Sequence, residues 1–119
     1  MAAKYFTITG TGYRYGQEFF EKDMIVRLTK EPDNEHDKEA IKVELPGLGI
    51  VGYVANSPRT VKGNSFSAGR LYDKIGKTAF GRVMYVLSDG VFCKVEEELI
   101  DPGADWKDED IQEGDSEDE

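Results

Sequence analysis

The sequence predicts a mainly β fold, a small six-stranded barrel with one or two short helices, and three observations carry that reading. The dominant period of the apolar residues is two, in six short runs between Tyr5 and Leu99, as half-buried strands require. Pro, Gly, Asp and Asn punctuate these runs at short intervals, the spacing of hairpins. Helical content is slight: of two short helices, starting at Ser57 and Ser67, Gly63 stops the first and Gly69 weakens the second.

The elements are taken in chain order. Tyr5 to Gly10 reads as a first strand, with Gly10 and Gly12 letting the backbone turn sharply where it ends. Met24 to Thr29 is a second strand, holding Ile25, Val26 and Leu28. Ala40 to Leu45 and Gly49 to Val54 form a hairpin, joined by Pro46-Gly47-Leu48. Ser57 can cap a helix that begins at Pro58, where a missing N–H costs nothing, and Gly63 stops it after little more than a turn. Ser67 to Ile75 is the stronger helix, with Leu71 and Ile75 on one face and Gly76 as its terminator. Thr78 to Leu87 and Val91 to Leu99 make a second hairpin across Ser88-Asp89-Gly90, because Asp-Gly readily adopts the positive φ of a primed turn. Six short strands closing round one core, with helices over an end, describe a barrel of OB-like type.

Charge divides the chain. From Asp101 to Glu119 there are ten acidic residues and one lysine, so this segment carries the whole formal charge of -9. Residues 1–100, with 14 basic and 14 acidic side chains, form the expected domain, and 101–119 an acidic tail. The tail has too little apolar surface to offset the entropy of ordering, so it is expected to be disordered at its end. It can compete with a nucleic acid, meet a basic protein partner with Trp106 as anchor, or simply aid solubility. Within the domain, Pro58 to Arg82 holds Arg59, Lys62, Arg70, Lys74, Lys77 and Arg82 against Asp73 alone, a locally basic region.

With one cysteine and one histidine the chain offers no zinc-binding set, and Cys93, in the alternating run Val91, Cys93, Val95, reads as a small core residue. No signal peptide and no apolar run long enough to span a bilayer is present, which leads to the expectation of a soluble cytoplasmic protein without membrane contact. Catalytic apparatus is not visible. There is no phosphate-cradling G-x-x-x-x-G-K-[ST] loop, and His36 has no neighbouring Ser or Cys nucleophile. The chain is therefore expected to be no enzyme, with no cofactor and no metal; the acidic turn lacks the spaced ligands of a calcium loop.

Two segments carry binding chemistry. In TGTGYRYGQEFF (Thr9 to Phe20), Tyr13, Arg14 and Tyr15 put two flat rings and a planar cation in one loop. Rings and guanidinium planes stack on unpaired bases at roughly 1 to 3 kcal/mol each, and the cation can meet a phosphate. A bland reading has one tyrosine in the core and Arg14 paired with Glu18 or Glu21. In EPDNEHD (Glu31 to Asp37), Asp33, Asn34 and Asp37 are turn residues that bond to nearby backbone N–H groups. A carboxylate there could also accept a hydrogen bond from a sugar hydroxyl.

The stretch EPDNEHDKEAIKV (Glu31 to Val43) together with GIVGYVANS (Gly49 to Ser57) resembles the HIRAN domain, over roughly Ile8 to Lys94. That resemblance implies a small β-barrel that binds nucleic acid, notably the free 3′ end of single-stranded DNA. It assigns Asp37 the role of reading the terminal hydroxyl, gives His36 the place of a stacking aromatic, and puts Tyr53 on a strand lining the groove. The sequence departs from the family pattern at four positions. Gly12 aligns with an arginine that precedes two aromatics, Glu35 stands where proline is frequent, His36 replaces a larger ring, and Asn56 stands where a basic residue can occur. Arg59, Lys62 or Arg70 could supply that charge. The expected interface thus comprises Tyr13, Arg14, Tyr15, His36, Asp37, Tyr53 and Arg59. The alternative is a protein-interaction module that presents a barrel face or an edge strand to another polypeptide.

Overall fold

The computed structural model describes residues 3–96, without the Tyr13 side chain. The acidic tail, Trp106 and the end of the last expected strand at Leu99 lie outside the described residues. Six strands, β1 (Tyr5–Thr9), β2 (Ile25–Lys30), β3 (Ile41–Leu45), β4 (Gly49–Val54), β5 (Thr78–Leu87) and β6 (Gly90–Val95), close into a barrel in the order β1-β4-β3-β2-β5-β6. Every pairing is antiparallel. The mainly β expectation holds, and closure leaves none of the six with an open edge. An edge strand, one half of the protein-interaction alternative, is therefore not available among them.

Alternation fills the barrel. Phe6 and Ile8 of β1, Val26 and Leu28 of β2, Ile41 and Val43 of β3 and Val91 and Cys93 of β6 point inward and are fully buried. Burial pushes the Cys93 thiol far above its ordinary range, so it behaves as the core residue expected of it. At the centre Gly81 of β5 lies against Phe6, and a Cβ there would stand 2.6 Å from the ring.

β1 meets β4 only at Ile8↔Val54 and Thr9↔Tyr53. The chain between β4 and the helix covers the rest of β1. Ala55 N donates to Thr7 O at 2.8 Å, Phe66 N to Tyr5 O at 2.7 Å, and Lys62 N to Thr7 Oγ1 at 3.2 Å. The buried Thr7 hydroxyl also shares a 3.0 Å bond with the Ser65 hydroxyl. These tertiary bonds explain why the helix expected after Ser57 is only a turn. Thr60 and Val61 N–H groups do reach Ser57 O, and Ser57 Oγ accepts from Arg59 N, but the chain then turns back to β1.

Ser67 caps α1 (Ala68–Tyr72) as expected, accepting from Arg70 N at 3.2 Å, and Ala68 and Leu71 enter the core. The helix ends with Asp73 as C-cap, short of Ile75 and Gly76. The chain must leave early because Lys77 O accepts from Lys30 N at 3.0 Å, where β5 joins β2.

The second hairpin differs from expectation by one residue. Leu87 pairs with Gly90, so the loop is Ser88-Asp89, and neither Asp89 nor Gly90 has a positive φ. Gly90 instead gives room to Thr7, since a Cβ there would stand a tight 3.1 Å from Thr7 Cγ2. A register shift falls between Val83 and Tyr85 in the same hairpin. Positive φ falls in the other hairpin, at Gly47 (79°) and Gly49 (78°).

Candidate nucleic-acid interface

Gly10, at φ 75°, ends β1 and turns the chain into a short 3-10 helix, Thr11–Tyr13, whose last carbonyl-bonded turn brings Arg14 and Gly16 N–H groups onto Thr11 O. This local fold aims the loop across the β3–β4 hairpin. Tyr15 is 56% exposed and its hydroxyl donates to Leu48 O at 3.2 Å. Arg14, Tyr15, Leu48 and Ile50 line a shallow groove there. Tyr13, whose side chain is not among the described groups, closes the 3-10 helix by its backbone.

The Asp/Asn-rich turn is built as its composition suggests. Asn34 Oδ1 accepts from the backbone N–H of His36 (2.8 Å) and of Asp37 (2.9 Å), and Asp37 Oδ1 accepts from Glu39 N (2.9 Å). Its remaining groups reach outward. Asn34 Nδ2 donates to Glu31 Oε1 at 3.1 Å, the same oxygen that accepts from the Tyr53 hydroxyl at 2.9 Å. Asp37 Oδ2 accepts from Asn56 Nδ2 at 2.9 Å, and Asn56 Oδ1 accepts from Gly69 N at 2.8 Å.

A continuous polar track results, running from Tyr53 on β4 through Glu31 and Asn34 to Asp37, then through Asn56 to α1. Arg14 joins at its start. Burial, and after it the hydrogen bond and charge of Glu31, push the Tyr53 hydroxyl up to about 12, while the nearby Arg14 guanidinium opposes the shift. Arg14 thus turns toward Tyr53, and no pairing with Glu18 or Glu21 occurs among the described residues.

The raised Tyr53 value has a sign that can be tested. An unfolded tyrosine ionises near 10, so the Tyr53 hydroxyl, held neutral by burial and then by its bond to Glu31, contributes stability in full below that pH and loses it progressively as pH rises toward 12. Denaturation midpoints measured across this window should fall more steeply for the native chain than for Tyr53→Phe. Parallel curves would show that the hydroxyl has no such role.

Of the residues expected at the interface, Arg14, Asp37 and Tyr53 are brought together by this track, and Tyr15 lies beside Arg14. His36 is exposed and joins the track through its backbone bond to Asn34. Arg59 is exposed on the turn after β4, and no described bond joins it to the others. Sequence reasoning missed Glu31 as the hub and Asn56 as the clasp on Asp37. The spacing Glu31-x-x-Asn34 is a local clue to the first; nothing local signals the second.

The basic region does not form one patch. Lys62 Nζ is 2.6 Å from Asp89, whose carboxyl it holds below its usual range, whereas Arg82 Nε is 2.8 Å from Glu96 at the other end of β6. Among the described residues no cluster of His, Cys, Asp and Glu could hold a metal ion, and no helix is long and apolar enough to cross a membrane.

A family model for the HIRAN domain matches residues 2–100 of the 119. The chain belongs to the HIRAN family. No curated protein and no solved structure matches it. HIRAN is a DNA-binding domain family, and this membership supports nucleic-acid binding by the barrel. In this HIRAN domain the two motifs that carry the resemblance, Glu31 to Val43 and Gly49 to Ser57, are the ones joined by the bonds from Tyr53 to Glu31 and from Asn56 to Asp37.

Proposed function

We propose that this HIRAN domain is a non-catalytic cytoplasmic module that binds single-stranded DNA at a free 3′ end. The observation that carries the reading is the hydrogen-bonded track that sets one carboxylate, Asp37, and one guanidinium, Arg14, on the same side of the barrel as the exposed ring of Tyr15. Asp37 accepts the terminal hydroxyl, Arg14 neutralises a phosphate, and Tyr15 with His36 offers planes for bases. Support comes also from the family resemblance, in which the matching aspartate holds the 3′ end. An acceptor reads an end because an internal phosphodiester has no hydroxyl to donate.

Fluorescence anisotropy with short single strands ending in 3′-hydroxyl or 3′-phosphate, at about 50 to 100 mM salt, tests this. The hydroxyl strand should bind about tenfold tighter or more, and both should weaken as salt rises. Equal binding of the two would remove the end reading.

A second reading, a protein-interaction module, draws on the outer face of β1, β6 and β5. There Tyr85 is 59% exposed, its ring 6.2 Å from that of Phe92, which stacks on Tyr5 at 5.4 Å. Leu87, two residues on along β5 and 38% exposed, continues this apolar surface. Absence of any DNA binding in the same titration would favour it.

A further inference from the structure

We propose that the groove bounded by Asn56, Asn64, Ser67 and Arg70 carries the phosphodiester backbone of the bound strand, with Arg70 as its phosphate-binding cation. The proposal rests on the reading of this face as a site for single-stranded DNA and extends it beyond the motifs that point to a DNA end, to Asn64, Ser67 and Arg70.

The groove, of about 500 Å³, is lined by amide, hydroxyl and guanidinium groups over Pro58 and Val61, and no carboxylate lines it. That sets it apart from the groove beside the 3-10 helix, which includes Glu18 and Asp89, and from the one at the end of β6, which includes Glu96. Glu39 approaches Gly69 but does not line the groove. An anion therefore meets no like charge on its walls. Asn56 belongs both to this groove and to the track, since its amide donates to Asp37. The groove thus adjoins the place proposed for the strand's 3′ end.

Arg70 is held for this task. Its guanidinium carbon lies 4.5 Å from the centroid of the Phe66 ring, and Phe66 is fixed by its N–H bond to Tyr5 O and by packing against the core. Contact with a ring face orients the guanidinium while leaving its N–H donors unused, and a planar fork matches two phosphate oxygens at once. Among the described residues Arg70 makes no ion pair. Lys62 and Arg82, by contrast, are occupied by Asp89 and Glu96. Ser67 Oγ accepts from Arg70 N, which leaves its hydroxyl hydrogen to donate to a phosphate.

The test uses the full chain, labelled single strands with 3′-hydroxyl or 3′-phosphate, and strands with one neutral methylphosphonate in place of each of the last few phosphates in turn. Arg70→Ala should weaken binding about tenfold for both end types and lower the salt dependence by roughly one phosphate contact. The preference for the hydroxyl end should survive. One methylphosphonate position should weaken the native chain and leave Arg70→Ala indifferent. Asn64→Asp, which puts a negative charge in the groove, should weaken binding by a similar factor. Native affinity and salt slope in Arg70→Ala would overturn the proposal, as would a loss insensitive to which phosphate is neutralised. If the native chain binds both end types equally but Arg70→Ala still loses affinity and slope, the backbone groove stands and the end reading falls. If the native chain binds neither strand, both fall.

Discussion

Asp37→Asn should erase the distinction between a 3′-hydroxyl and a 3′-phosphate while leaving the fold in place. In the native chain each Asp37 oxygen accepts one protein donor, Glu39 N or Asn56 Nδ2, and retains a lone pair for a ligand hydroxyl. An ionised acceptor forms the stronger class of hydrogen bond, about 1.5 to 3 kcal/mol, and it repels a terminal phosphate placed at the same point. Together these amount to roughly ten- to a hundredfold in affinity. Asparagine keeps the size and one acceptor, so the bond from Glu39 N and the turn persist, but charge and repulsion vanish. Competition titrations should show the hydroxyl-to-phosphate ratio fall to about one, the hydroxyl strand losing the charged hydrogen bond and the phosphate strand losing the repulsion. A ratio equal to that of the native chain would show that the carboxylate does not read the end.

The largest expected effect on stability is that of Phe6→Ala. Phe6 is fully buried, and its ring fills the space against Gly81 that no Cβ occupies. Removing a buried aromatic ring costs about 3 to 5 kcal/mol, a large share of the roughly 5 to 15 kcal/mol that holds a domain together. Gly81→Ala acts from the other side of the same contact. Its methyl would meet the Phe6 ring at 2.6 Å and lie 3.3 Å from Lys94 O, an overpacking worth about 1 to 3 kcal/mol. Because both changes concern one space, combining Gly81→Ala with Phe6→Leu should cost less than their sum. Urea denaturation monitored by far-ultraviolet circular dichroism measures the four variants: Phe6→Ala, Gly81→Ala, Phe6→Leu and the Gly81→Ala, Phe6→Leu pair. Strict additivity would mean that the two positions do not share that space.

The barrel was legible in the sequence because strand burial writes itself into alternate positions, as in Phe6 and Ile8 or Val91, Cys93 and Val95. Local chemistry was legible too. Ser67 caps its helix, Gly10 turns the chain, and Asn34 with Asp37 builds the turn. What failed were features decided by partners distant in the chain. The segment after Ser57 has a helix start but is claimed by Thr7 and Tyr5 of β1, and α1 stops where Lys77 must meet Lys30. Gly90 sits where Asp-Gly chemistry suggests a primed turn, yet its lack of a side chain makes room for Thr7.

The site divides the same way. Tyr13, Arg14 and Tyr15 could be singled out by residue type and neighbourhood and Asp37 as a turn residue, while the family resemblance gave Asp37 its binding role and added His36 and Tyr53. That Arg14 turns to Tyr53, and that Asn56 grips Asp37, depend on a barrel closing in three dimensions and have no periodic or compositional trace. The run of cations from Arg59 to Arg82 shows the opposite error, a sequence neighbourhood that the fold distributes over both ends of β6 and α1.

The return of β6 onto β1 has one more consequence. A row of unsatisfied amides is the template on which foreign chains stack into fibrils, and a sheet that bites its own tail withholds it. Recognition by the six strands must therefore rest on the side chains of their outer face rather than on strand addition, so altering a few of them can redirect what the barrel wall holds without inviting copies of it to polymerise.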